Sequence, residues 1–241
     1  ARQLREAFGF KSARLINDFE AIGWSIPLLK KDAVVQLGTG RREPSAPAAV
    51  FGPGTGLGMA CFVPGPGDPH VIGSEGGHAT MASCDQREDV VIARLREKFG
   101  HVSIERVLSG SGIENLYDTL AEIDQACVPT RNAAEITRAA ATGSCAVCRD
   151  AVDLFCAFLG EVGGNLALTF AARGGVYIAG GIVPRITDIV ARSAFRERFV
   201  AKGRFREYLE SIGAFIIVHP NPAFIGLSFL AARDRSKLEK S

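Results

Sequence analysis

The spacing of apolar positions divides the chain into short strands and helices in alternation. Residues 2–8, RQLREAF, read as the end of an amphipathic helix that Gly9 stops. Residues 13–19 predict a strand: Leu15 and Ile16 are apolar, Asn17-Asp18 interrupts, and Phe19 turns apolar again. A helix tolerating Gly23 follows over 20–31. Residues 38–48, rich in Gly, Pro, Ser and Arg, predict a surface loop. The stretch 48–63, AAVFGPGTGLGMACFV, reads as strand, glycine hairpin, strand, and PGPGDP at 64–69 as a turn. Residues 85–100 predict a helix: Asp85 and Glu88 form a D-x-x-E capping pattern, Val91, Leu95 and Phe99 share a face, and Gly100 ends it. Two short helices, 103–108 and 111–123, are split by SGSG. Further helices are predicted at 132–142 and 146–171, the second with Val152, Phe155, Leu159, Leu166 and Phe170 inward. A helical glycine costs ~1 kcal/mol against alanine, so Gly160, Gly163 and Gly164 imply close packing against a neighbour or ligand. Residues 174–190 read as strand, glycine turn, helix, with Pro184 in the first helical turn. Residues 215–222 are strand then turn, and 223–234 a last helix. This alternation predicts an α/β protein without internal repeats.

Composition narrows the picture. With 241 residues, the chain suffices for one large domain, or one plus part of another. It is 47% hydrophobic with net charge +2, as expected of a globular protein. The RRE at 41–43 and the scattered basic residues of 192–206 read as solvated faces, so no nucleic-acid partner is expected. No uninterrupted apolar run approaches the ~20 residues of a membrane span, and no signal peptide is recognisable, so no membrane partner is expected either. Six cysteines, at 61, 84, 127, 145, 148 and 156, lack the dense spacing of a disulfide scaffold and point to a reducing cytoplasm. Cys145-x-x-Cys148 has the form of half a zinc site or a redox pair. No second Cys/His pair supports zinc, so both read as helix thiols.

Five places carry candidate chemistry. Asp18 stands at the end of an apolar run, where a carboxylate is costly unless something needs it. In FGPGTGLG, Gly52, Gly54, Gly56 and Gly58 alternate around Thr55. No helix and no Lys follow, so this is neither a dinucleotide fingerprint nor a P-loop. A glycine hairpin can still aim several N–H groups at one anion. In SEGGHA, Glu75 and His78 flank two glycines and suit hydroxyl groups. A metal held by Glu75, His78 and Asp18 is the rival reading, without helical ligand spacing to support it. Glu105 alone reads as an acid favoured near a helix start. Gly180-Gly181 lies where a strand becomes a helix, a common meeting point of nucleotide and backbone.

Taken in order, LINDFEA, FGPGTGLG, GSEGGH, FGHVSIERVLSGSG, GGNLAL and GGVYIAGGIVPR make the chain resemble the bacterial glucokinase family. The resemblance spans the whole chain apart from loops near 40–48 and 64–71. It implies a ribonuclease H-like, hexokinase/actin-like fold: a mixed sheet flanked by helices, with a truncated small domain. It also implies ATP-dependent phosphorylation of the glucose 6-hydroxyl with Mg²⁺, in a cytoplasmic homodimer. Asp18 matches the family's catalytic base. Asn17, Glu75, His78 and Glu105 match sugar-hydroxyl ligands; Gly54, Thr55 and Gly56 match the second phosphate loop; Gly180 and Gly181 match the adenosine region. On this reading a strand end holds Asp18 against the sugar. No residue here is expected to ligate a metal directly. Residues 1–28 read as a remnant of the small domain, 29–218 as the large domain, and 219–241 as a return segment with a helix packing toward the small domain. The family's D-x-G-G-T-N-type first phosphate loop is absent from these residues, which are therefore expected to transfer little phosphate alone. A kinase for another hexose, a non-catalytic sugar binder and a general actin-like ATPase are the competing readings.

Overall fold

The computed structural model describes residues 1–10, 13–65 and 68–238. Six strands form one mixed sheet: β1 (Val34–Leu37), β2 (Ala48–Pro53), β3 (Leu57–Val63), β4 (His70–Ser74), β5 (Val176–Ile178) and β6 (Ala214–Ile217), in the order β1-β6-β5-β2-β3-β4. Strands β2, β3 and β4 run antiparallel, with Gly52 opposite Gly58 and Met59 opposite Ser74. Strands β5 and β6 lie parallel to β2, and β1 closes the far edge antiparallel to β6. A three-stranded meander extended by two parallel strands is the ribonuclease H-like arrangement that the resemblance implied. The apolar pattern did not mark β1, whose central residues Val35 and Gln36 are exposed on its edge.

Strand β2 is buried along its whole length because helices cover both sheet faces. On one face Ala49, Phe51, Ile178 and Ile216 join the larger core. It is covered chiefly by α3 (Gln86–Phe99), α4 (Gly110–Ile123), α5 (Ala133–Thr142), α6 (Ala146–Thr169), α7 (Thr187–Arg192), α8 (Phe195–Val200) and α9 (Arg206–Glu210). On the other face Val50, Ala60, Phe62, Tyr177 and Phe215 form a smaller core under α2 (Asp18–Ser25) and α10 (Pro222–Leu238). A short helix α1 (Arg2–Phe8) precedes these, ending at a left-handed Gly9.

Helix α6 is long and apolar enough to cross a membrane, but 72% of its most apolar window is buried inside the protein. Its glycines serve a neighbouring helix: a Cβ on Gly160 or Gly164 would lie 2.1 or 2.4 Å from the carbonyl oxygens of Phe195 and Phe199 in α8. Helix α10 packs on α2 by the same device, a Cβ at Gly226 falling 1.8 Å from the Ala21 carbonyl oxygen.

Three local expectations are corrected. Residues 13–17 form no strand: Leu15 is 68% exposed, and Ile16 packs against the smaller core without pairing to a strand. The helix expected over 20–31 begins earlier, at Asp18, and ends at Ser25, giving way to a 3-10 turn over Ile26–Leu28 that contains Pro27. The segment 103–108 holds only a 3-10 turn, Ile104–Arg106. Part of the expected 64–69 turn, residues 66 and 67, and the last residues of the expected return segment, 239–241, lie outside the described residues.

Candidate active site

The site is built around the first residues of β3. The Leu57 N–H donates to Glu105 Oε2 at 2.8 Å, so a half-buried carboxylate closes over the glycine hairpin. A Cβ on Gly56 would meet the same oxygen at 2.6 Å, which is why that position has no side chain. Two residues on, a Cβ at Gly58 would fall 1.9 Å from the ring of Phe19. Phe19 follows Asp18 directly, so this contact ties the start of α2 to the hairpin. A Cβ at Gly77 would lie 2.3 Å from the Leu57 carbonyl, which brings the Gly76–His78 turn onto the same spot. A Glu105 oxygen, the Phe19 ring and the Leu57 carbonyl thus lie against Gly56, Gly58 and Gly77, which ties the Glu105 turn, the start of α2 and the Glu75–His78 segment to one strand end.

Each acid is positioned differently. Asp18 is the first residue of α2, not the last residue of a strand. Asn17 is the N-cap, its Oδ1 accepting from the N–H groups of Phe19 at 2.8 Å and Glu20 at 3.3 Å. The Asn-Asp pair was therefore a helix-start signal. With Oδ1 engaged in the cap, the hydrogen-bonding capacity left to the Asn17 side chain is that of its NH₂ donors. Asp18 Oδ1 also accepts from Phe19 N at 2.9 Å, fixing a carboxylate at the positive end of a helix. Glu75 and His78 are exposed, 85% and 64% at their side chains, and approach each other only to 4.0 Å. The strand-like bridge between Thr80 and Ser103 and the Ile104 N–H to Ala79 O bond at 2.9 Å hold their segment beside the Glu105 turn. Among the described residues, no three or more His, Cys, Asp or Glu side chains gather as a metal site, so the rival metal reading of Asp18, Glu75 and His78 has no geometric basis.

The two glycine loops are adjacent. A Cβ at Gly180, whose φ is +88°, would sit 2.3 Å from the Pro53 carbonyl, and one at Gly52 would sit 2.6 Å from Ala179. Gly54 and Gly181 face open space instead: a Cβ at Gly54 would find its first neighbour at 4.0 Å, and one at Gly181 none within that range. The Gly54–Thr55–Gly56 turn and Gly180–Gly181 therefore form a backbone-lined trough with room above it. One partner was missed by sequence reading. The N-terminus of α4 abuts the turn, the Gly110 N–H donating to Gly54 O at 2.9 Å, with Ser109 as the buried N-cap. The Ser-Gly-Ser-Gly run that had only seemed to separate two helices was its signal.

A family model described as Glucokinase matches residues 1–234. A glucokinase from Paramagnetospirillum magneticum is 46% identical over 231 residues, covering 95% of this chain and 71% of that protein. The bifunctional protein glk of Paraburkholderia xenovorans is 43% identical over 96% of this chain, which spans 36% of its length. Among solved structures, a glucokinase from an Antarctic psychrotroph superposes with a TM-score of 0.88 at 36% identity, covering 94% of this chain and 70% of that one.

Proposed function

The chain belongs to the glucokinase family, the ATP-dependent glucose kinases, and on that premise we propose that Asp18 is the base that accepts the proton of the glucose 6-hydroxyl as it attacks the γ-phosphate of ATP. The observation that supports this reading is that the Glu105 carboxylate, Phe19 next to Asp18, and the Gly76–His78 turn all pack on Leu57 and Gly58 at the start of β3. A hexose is a cluster of hydroxyls, so fixed acceptors and donors select it. Glu105, Glu75, His78 and the Asn17 amide supply them. Each lost partner would leave a desolvated hydroxyl at a cost of ~1–3 kcal/mol.

Phosphoryl transfer asks the protein mostly for positioning and charge neutralisation. Gly54, Thr55 and Gly56 present N–H groups and a hydroxyl to the phosphates, and the α4 N-terminus adds its positive end beside them. Gly180 and Gly181 leave space for the adenosine moiety. Mg²⁺ would ride with the phosphates and neutralise their charge, since it needs only one or two carboxylates besides phosphate oxygens. A carboxylate is a weak base, and it suffices because the proton leaves late, once bonding to phosphorus has acidified the hydroxyl. Residues 1–28 are read as a remnant of a smaller domain, 29–218 as a larger one, and 219–241 as a return segment whose helix packs toward the smaller domain. Cytoplasmic residence and a homodimer, both carried from the family, complete the reading.

The test is Asp18→Asn in a chain that also carries the family's first phosphate loop. Loss of the base lowers kcat by ~10²–10⁴-fold and leaves glucose affinity within a few-fold of the original. A variant that turns over normally while KM rises would remove Asp18 from the base role. Sugar-dependent stabilisation of the unsubstituted chain with no ADP formed would favour a sugar sensor instead.

A further inference from the structure

One sequence motif stands outside the kinase chemistry. Cys145 and Cys148 are free thiols on the first turn of α6. Cys145 is the N-cap residue, half-buried, with extended backbone (φ −147°, ψ 119°), and its Sγ accepts the Cys148 N–H at 3.4 Å. Cys148 is fully buried one turn further on, its thiol close enough to Cys145 for each to shift the other's pKa. Two charged or titratable groups face the pair. Arg131 comes from the connection before α5, its Nε buried without a partner. Tyr117 comes from α4, its hydroxyl donating to Pro129 O at 2.8 Å. This is an asymmetric pair: a half-buried sulfur at a helix N-terminus beside a guanidinium, backed by a fully buried thiol whose pKa is raised.

We propose that Cys145 and Cys148 form a peroxide-oxidisable dithiol that closes to a disulfide across the first turn of α6. The Cys145 thiolate attacks the O–O bond of a hydroperoxide, giving Cys145 sulfenic acid and releasing an alkoxide or hydroxide that takes up a proton. The Cys148 thiol then attacks that sulfenic sulfur, an S–S bond forms, and water leaves. Two sulfurs lose one electron each and the peroxide gains both. Burial alone would push the Cys145 thiol up. The Cys148 hydrogen bond, the N–H groups of Cys148 and Val147 and the Arg131 charge outweigh it and lower its pKa, which favours the nucleophilic thiolate. Burial and the bond to Cys145 push Cys148 up to about 12, as befits a resolving thiol that reacts second. The buried thiols Cys61 and Cys156, pushed up by burial to about 11 and about 12, share neither the N-cap nor the cation. The N-cap position lies outside the helical hydrogen-bond ladder, so swinging the Cys145 side chain toward the Cys148 sulfur costs only its bond from the Cys148 N–H.

The 241-residue chain tests this directly, because residues 139–149 form one tryptic peptide holding both cysteines. After mild hydrogen peroxide treatment of the folded chain, that peptide should be lighter by two hydrogens, and dithiothreitol should restore it. In Cys148→Ser the same treatment should leave Cys145 as a sulfenic acid that dimedone captures. Without peroxide, Cys145 should alkylate ~10-fold faster than exposed Cys127 at neutral pH. A wild-type peptide that stays unchanged, or that gains oxygen instead of losing hydrogen, overturns the proposal. So does an alkylation rate at Cys145 no greater than that at Cys127.

Discussion

Glu105 and Glu75 carry the same carboxylate and stand beside the same strand end, yet their surroundings differ. Glu105 is half-buried and already spends one oxygen on the Leu57 N–H at 2.8 Å. Glu75 is 85% exposed at its side chain, with His78 at 4.0 Å as its neighbour. The first is part of the scaffold as well as of the pocket; removing it orphans a backbone donor. The second has only His78 nearby, at 4.0 Å, and is otherwise held in place by its backbone. On the proposed function, one half of the site is organised before the ligand arrives, and the other half would be organised by it.

The largest expected effect comes from breaking the hub itself. Gly58→Val forces the Phe19 ring out of contact with β3 and shifts the start of α2, where Asp18 sits. Overpacking of this kind costs typically ~1–3 kcal/mol. Glucose-dependent protection against urea should vanish together with that stability, and retention of both would refute the hub. Next, Glu105→Ala should lower stability by ~1–3 kcal/mol through the unpaired Leu57 N–H. It should also raise the glucose dissociation constant by ~10–100-fold, the equivalent of one lost charged hydrogen bond. Glu105→Gln keeps an acceptor for Leu57, so calorimetry should find stability nearly restored while affinity stays weakened. Equal losses in both variants would mean that Glu105 is purely structural. The smallest effect belongs to Glu75→Gln: stability within ~0.5 kcal/mol, as for an exposed surface change, with a weaker loss of glucose affinity than at Glu105. A stability loss at Glu75 matching that at Glu105→Ala would erase the distinction between the two halves.

Much of the architecture was readable from spacing alone. The 85–100 helix appears with its Asp85 cap accepting from Glu88 N, and the glycine hairpin appears between two strands in register. Both are local signals, since capping geometry and tight turns depend on residues a few positions apart. Asp18 shows the failure of the same logic. Its apolar neighbours looked like a strand, and nothing local said that Leu15 would remain exposed. The β1 edge strand was invisible for a related reason: its partner, β6, lies some 180 residues away in the chain, and pairing with Ile216 and Ile217 made it a strand.

By itself, then, the sequence determined the α/β class, the bounds of α1, α3, α4, α5 and α6 to within two residues, the turn glycines and, through resemblance, the chemistry to be expected. These depend on short-range sterics and hydrogen bonding, which each stretch carries wherever it lies. Only the tertiary structure decided that Gly56, Gly58 and Gly77 face three different segments, that α4 starts against Gly54, and that Cys145 and Cys148 differ in access. Such facts concern which distant surfaces meet, and a missing Cβ acquires meaning only once the backbone that fills its place has been brought there.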